Sequence, residues 1–218
     1  MKKKGLIICV LAAMVISLAG VTCYYWYINT YFVDTEDARV AGTILKVSPQ
    51  VSAKLVRINV DEGDTVQAGD IIARQDDISL PSATSVDLTV IKAPVSGTIL
   101  KKIGNVGEVG TPGQAVVMMA DLSDLYITAD IEETDMYKLK LGQKAEFTID
   151  SIPGVKFNGE VYSLGEATVS TFSLLPTQNT GGNFTKVIQR IPVKISIKNS
   201  HGQRLLPGMN AVVRIHVR

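Results

Sequence analysis

The sequence predicts a mainly β protein behind a single N-terminal membrane helix: a two-fold β-sandwich, then a small antiparallel β-barrel. Three observations carry that expectation. A long uncharged run opens the chain. One strand–turn–strand pattern is written twice, at a constant offset of 44 residues. Beyond the second copy, short strand candidates follow one another without the repeated helices of an α/β chain.

Met1–Lys4 carries three lysines, and Gly5 to Val33 carries no charge at all. Gly5–Ile28 is long enough to cross a hydrocarbon core of about 30 Å, which needs roughly 20 helical residues. Its far end is Tyr24-Tyr25-Trp26-Tyr27, followed by Tyr31-Phe32. Aromatic rings with a polar tip favour the water–lipid boundary, and lysines favour the cytoplasmic side. The reading is therefore a cytoplasmic tail (1–4), a transmembrane anchor (5–28), a linker (29–37) and an extracytoplasmic remainder. A cleaved signal peptide would have a shorter apolar region and a small-x-small site. Lipidation of Cys23 is disfavoured because Gly20-Val21-Thr22 lacks a leucine at the third position before the cysteine. Both cysteines, Cys9 and Cys23, lie in the apolar run, so the exported part holds together without disulfides.

The repeat pairs Val51 with Val95, Ser52 with Ser96, Leu55 with Ile99, Arg57 with Lys101, Gly63 with Gly107, Asp64 with Glu108 and Gly69 with Gly113. Each copy alternates apolar and polar residues, then turns at glycine, which reaches positive φ at little steric cost. Gly63, Gly69, Pro94, Gly97, Gly107 and Gly113 are read as structural turn residues of the sandwich. One copy cannot bury its apolar face alone; two facing copies can. Two-fold sandwiches of such halves are the architecture of lipoyl and biotinyl carrier domains and of one family of transport adaptors. A lipoyl/biotinyl-like barrel-sandwich hybrid is expected over 38–122, with a short polar loop, Asp76–Asp87, joining its halves.

Asp121–Asp124 reads as a hinge-like link into a β-barrel over 123–218. Its strand candidates are Tyr126–Ile131, Lys144–Asp150, Asn158–Leu164, Val187–Ile197 and Ala211–Val217. Glu133–Leu139 is expected to make one or two helical turns, its acidic start favourable to the helix dipole. Thr168–Asn183 is rich in Ser, Thr, Asn and Gly around the apolar patch Phe172–Leu175. Phe172, Leu174 and Leu175 are either packed into the barrel or offered to a partner.

These residues carry a family resemblance. Thr89–Gly97 (TVIKAPVSG) resembles the stretch that opens the second lipoyl half of bacterial membrane fusion proteins, or periplasmic adaptors, of the haemolysin-secretion D type. Asp121–Thr134 resembles their passage from sandwich to barrel. Phe172–Gln178 (FSLLPTQ), Gly182-Asn183-Phe184, Val187–Lys194 (VIQRIPVK) and Leu206–Met209 are similar to the multidrug-resistance branch. The resemblance covers nearly the whole chain. It implies an accessory subunit of an export system that self-associates and scaffolds an inner-membrane transporter of the major facilitator drug/proton antiporter class. Family members carry a long α-helical hairpin between the sandwich halves, directed at an outer-membrane channel. Here that place holds only Asp76–Asp87, whose length as a helix is about 18 Å, too short to return as a hairpin. The channel contact is therefore not carried over.

Other chemistries fit poorly. A lipoyl or biotinyl carrier needs a lysine on the exposed hairpin; 74–91 has none, and Lys92 falls inside a predicted strand. A Ser-His-Asp hydrolase needs a base within reach of a nucleophile, but His201 and His216 are the only histidines, and no nucleophile-elbow motif accompanies them. The same two histidines, without cysteines, do not suggest a metal site. Asp76-Asp77 reads as a solvated loop pair. Without the three anchor lysines, 19 basic residues face 21 acidic ones, which gives no basic nucleic-acid footprint. The expectation is a protein with no cofactor, no metal and no enzymatic activity. The alternative to an export adaptor is a membrane-tethered extracytoplasmic interaction module with no role in efflux.

Overall fold

A computed structural model describes residues 2–77, 86–172 and 188–217. They form two compact units. One comprises Met1–Val40, Ile127–Arg204 and Gly208–Arg218, the other Ala41–Tyr126 and Leu205–Pro207.

The first unit begins with α1 (Lys2–Tyr31). Within it, Leu11–Tyr31 is a 21-residue stretch of mean hydropathy 1.6, long and apolar enough to cross a membrane, with none of it buried in the protein. At 1.5 Å per residue that stretch is about 30 Å long. Its threonines leave no stranded hydroxyl donor: Thr22 Oγ1 donates to the Leu18 carbonyl at 2.8 Å and Thr30 Oγ1 to that of Trp26 at 2.7 Å.

The helix runs straight into β1 (Phe32–Ala41). Segment 29–37, expected as a linker, is thus the last helical turn and the start of a strand. Asp34, Glu36 and Asp37 gave it the composition of a linker. A bulge between Thr35 and Ala38 also breaks the alternation that would have marked a strand.

The sandwich unit contains β2 (Ile44–Val47), β3 (Ala53–Ile58), β4 (Thr65–Val66), β5 (Ile71–Gln75), β6 (Val90–Lys92), β7 (Gly97–Lys102), β8 (Val109–Gly110) and β9 (Val117–Ala120). They form two four-stranded sheets, β2-β9-β7-β4 and β6-β5-β3-β8. The 44-residue offset exchanges one sheet for the other, and the backbone hydrogen bonds repeat with it. Gly63 N–H donates to Ile99 O at 2.9 Å, and Gly107 N–H to Leu55 O at 2.7 Å. Ile99 N–H donates to Asp64 O at 2.9 Å, and Leu55 N–H to Glu108 O at 2.7 Å. Each half also lends its short strand to the other half: β4 pairs with β7, and β8 with β3. Between the sheets, Leu55, Ile72, Ile91, Ile99, Val116 and Met119 are buried in one cluster. Each large aliphatic side chain there contributes roughly 1.5–3 kcal/mol.

The barrel is completed by β10 (Tyr126–Glu132), β11 (Lys144–Ile149), β12 (Lys156–Leu164), β13 (Arg190–Ile197) and β14 (Asn210–His216), closed in the order β1-β10-β13-β12-β11-β14. Closure removes the exposed edges that would invite pairing with other chains. Phe147 and Phe157 lie opposite each other on β11 and β12, their rings stacked at 5.5 Å. Gly159, two residues on from Phe157, leaves the space they need. A Cβ there would fall on the Ser196 carbonyl oxygen, 2.7 Å from Ile195 Cγ2 and 3.3 Å from Phe147 Cε1.

Candidate functional site

Charged side chains gather on β1 and the strands beside it. Asp34 pairs with Arg214 directly across the β1–β14 ladder. Asp37 pairs with Arg190 of β13, and Arg39 lies 3.9 Å from Asp130 of β10. Asp34, Asp37, Asp130 and Arg190, together with Glu36, Glu132 and Asp135, line a cleft of about 510 Å³ on the barrel. Asp130 is the buried acid among these lining residues, and its Oδ1 has no hydrogen-bond partner among the described residues. Burial, then the charge of Asp37, push its carboxyl above the usual range; Arg39 and Arg190 pull the other way. Among the described residues, no group of three His, Cys, Asp or Glu is placed to hold a metal ion.

A second cluster ties the barrel to the root of α1. Lys138 Nζ donates to the Asn29 carbonyl at 3.2 Å and pairs with Asp135 at 2.8 Å. Val217 N–H donates to Tyr31 O at 3.0 Å. Gln143 Nε2 bridges the carbonyls of Lys138 (3.0 Å) and Val217 (3.3 Å). The Phe32 and His216 rings meet edge to face at 4.9 Å, and His216 Nε2 lies 3.5 Å from Glu146 Oε1.

The sequence-predicted residues fall as follows. Gly63, Gly69, Gly107 and Gly113 have φ of +94°, +91°, +98° and +87°. Pro94 lies in the bend before β7. Gly97 is not in a turn: it opens β7, and a Cβ there would stand 2.6 Å from the Ala120 carbonyl oxygen. The glycine at that position serves close strand approach instead. Phe172 ends the 3₁₀ turn Val169–Phe172, whereas Leu174 and Leu175 lie outside the described residues. Lys92 is the last residue of β6, its ammonium 4.0 Å from Asp87. His201 sits in a turn with its ring 5.7 Å from Phe157. Glu133 and Asp135 open a 3₁₀ turn, Glu133–Lys138.

Sequence reasoning missed Asp130 and the β1 ion pairs. Ile127, Ala129 and Ile131 mark the inward face of β10. Asp130 lies on the opposite phase, where alternation predicts solvent. The charges that accompany it come from β1 and β13, more than fifty residues away in the chain.

The geometry describes a helix-anchored barrel and a two-fold sandwich, and comparisons with known proteins give the class. Residues 43–122 match the family described as RND MFP, barrel-sandwich hybrid domain. Residues 125–215 match the YknX-like beta-barrel domain. A Bacillus subtilis protein described as a putative efflux system component, YhbJ, is 38% identical over 187 residues, covering 86% of this chain and 80% of that one. The colistin resistance protein EmrA of Acinetobacter baumannii is 37% identical over 136 residues, covering 61% of this chain and 38% of its own length. A solved structure of the periplasmic adaptor protein EmrA superposes with a TM-score of 0.57 at 15% identity, covering 85% of this chain and 98% of that one; this is a likeness of fold. The chain belongs to the membrane fusion protein family, the adaptor components of membrane efflux systems.

Proposed function

We propose that this chain is the adaptor subunit of a small-molecule efflux system, working with a proton-driven exporter of the major facilitator class. The observation that carries the reading is the 38% identity to the Bacillus efflux component across 86% of the chain. The FSLLPTQ and VIQRIPVK blocks favour the multidrug branch. In this reading α1 crosses the cell membrane with its lysines in the cytoplasm, the sandwich self-associates, and the barrel docks on the exporter. Phe172, Leu174 and Leu175 contribute to that contact. The role is scaffolding, without bond-making chemistry or a cofactor. The link between Asp77 and Val86 is too short for a channel-docking hairpin, so this reading includes no contact with an outer-membrane channel.

The test is dye accumulation in cells that express the chain with the exporter encoded beside it. Deleting residues 35–218 while keeping the anchor is expected to raise accumulation to the level without the adaptor. Unchanged efflux would favour a tethered interaction module. Replacing Phe172 and Leu174 by serine separates docking from packing: reduced co-purification per folded molecule supports docking, and lost stability with unchanged association argues for packing.

A further inference from the structure

We propose that the barrel segment from Tyr137 to Lys144 rests in the lipid headgroup region beside α1, with Tyr137 and Leu141 as its contacts. This rests on reading α1 as membrane-spanning.

Three observations place it there. The Lys138 ammonium donates to the carbonyl of Asn29, so the segment stands beside the last turns of the helix. That is the level of Trp26, Tyr27 and Tyr31, the aromatic end of the apolar stretch. Val217 and Gln143 add backbone-directed bonds at the same root, so the attachment does not depend on one flexible lysine.

The segment also exposes apolar groups where water disfavours them. Tyr137 is 78% exposed and Leu141 64%, while Leu139 between them is only 6% exposed. Leu139 anchors the segment to the barrel, and its two neighbours face outward. Leu141 occupies the turn Lys140–Gln143, where Gly142 has φ of +84°. Turns in water favour Gly, Pro, Asn, Asp and Ser, as the polar turn Ser200–Gln203 of the same barrel illustrates. A leucine at the tip fits a turn whose surroundings are not water.

The charge pattern fits as well. Lys140 and Lys144 are exposed on either side of Leu141, a spacing that lets ammonium groups meet lipid phosphates while the apolar side chains lie lower. The acidic Glu132, Glu133 and Asp135 come before Tyr137, and Asp135 is paired with Lys138 at 2.8 Å. The Tyr137 ring, with the Lys138 ammonium 5.7 Å from its centre, suits the interface, where a ring is wet at one end and apolar at the other.

Trp26 is the single tryptophan, which makes the test direct. The full chain is reconstituted in phosphatidylcholine–phosphatidylglycerol vesicles doped with headgroup nitroxide lipid. Trp26→Phe combined with Tyr137→Trp, and separately with Leu141→Trp, gives two single-indole proteins. Quenching by the nitroxide lipid of twofold or more, with protection from aqueous iodide, is the expected result. Full iodide access without lipid quenching at both positions would overturn the proposal. So would iodide protection that arises only when the exporter is co-reconstituted, which would assign the surface to a protein partner. Trp26 of the unmodified chain is the control: if lipid does not quench it, the membrane reading of α1 fails and the proposal falls with it. Quenching of Trp26 with neither introduced indole quenched refutes the segment alone.

Discussion

Asp34 and Arg214 face each other across the seam that closes the barrel, Arg214 Nε and Nη2 donating to the two carboxylate oxygens at 2.9 and 2.8 Å. The guanidinium carbon also lies 5.5 Å from the centre of the Phe32 ring, the first residue after the helix. One side chain therefore holds both the seam and the junction with α1. Both partners are about half exposed, so solvent screens the pair. Asp34→Asn is expected to destabilise the protein by about 0.5–1 kcal/mol. Arg214→Lys should be no better, because an ammonium cannot make the two-pronged contact. Urea unfolding in detergent at low and 1 M salt checks this, with the difference shrinking at high salt.

Two glycines of different kinds separate conformational from steric necessity. Gly63 has φ of +94° with open space around a Cβ, whereas a Cβ on Gly159 would collide with the neighbouring strand. Gly63→Ala should cost about 1–2 kcal/mol, the strain of a left-handed residue. Gly159→Ala should cost about 3 kcal/mol or prevent barrel closure, since it displaces backbone and the Phe147–Phe157 stack. Denaturation midpoints of the two variants give the ranking.

Gln75 breaks the symmetry of the sandwich core. Its repeat mate, 44 positions on, is the fully buried Met119. Gln75 is buried too, and its Nε2 lies 2.9–3.1 Å from the carbonyls of Val51, Ala53 and Gly110. Gln75→Met makes the halves more alike in sequence yet strips those carbonyls of a donor. The expected loss is about 1–3 kcal/mol, read by chemical denaturation. An unchanged midpoint would show that the carbonyls find other partners.

Asp130 should make stability fall as pH rises. Its folded-state pKa is raised above the unfolded value, mainly by burial. The native state then binds the proton more tightly, so this contribution is fully present below the unfolded carboxylate pKa and is lost as pH rises through the folded value. Asp130→Asn, neutral throughout, is expected to be more stable than the unmodified chain at pH 7. The gap should narrow as pH falls through the acid range. Thermal unfolding at pH 4, 5.5 and 7 gives the sign.

The sandwich was legible because its information is local and duplicated: Gly63 and Gly107, Leu55 and Ile99, Asp64 and Glu108 each appear twice in register. The repeat even extends to the first strand of each half, since β2 and β6 occupy equivalent places in the two sheets. The barrel was legible as strands but not in its closure. The strand that closes it, β1, joins residue 32 to residue 216, and no local pattern announces such a pairing. Its polar face and bulge made it resemble a tether. Gly97 misled for a related reason, because glycine signals either a turn or a close approach, and only the partner at Ala120 decides which. Asp130 was illegible because what covers it comes from distant segments.

The interlocked pairing of the sandwich halves fixes where this chain can be lengthened. Among the described residues, the cross-half hydrogen bonds of β3, β4, β7 and β8 join positions on either side of the connection 78–85. A polypeptide spliced into that connection, or cut away from it, leaves the clasp intact. Reach is thereby uncoupled from folding: an arm inserted at this connection is expected to project from a body that closes without it.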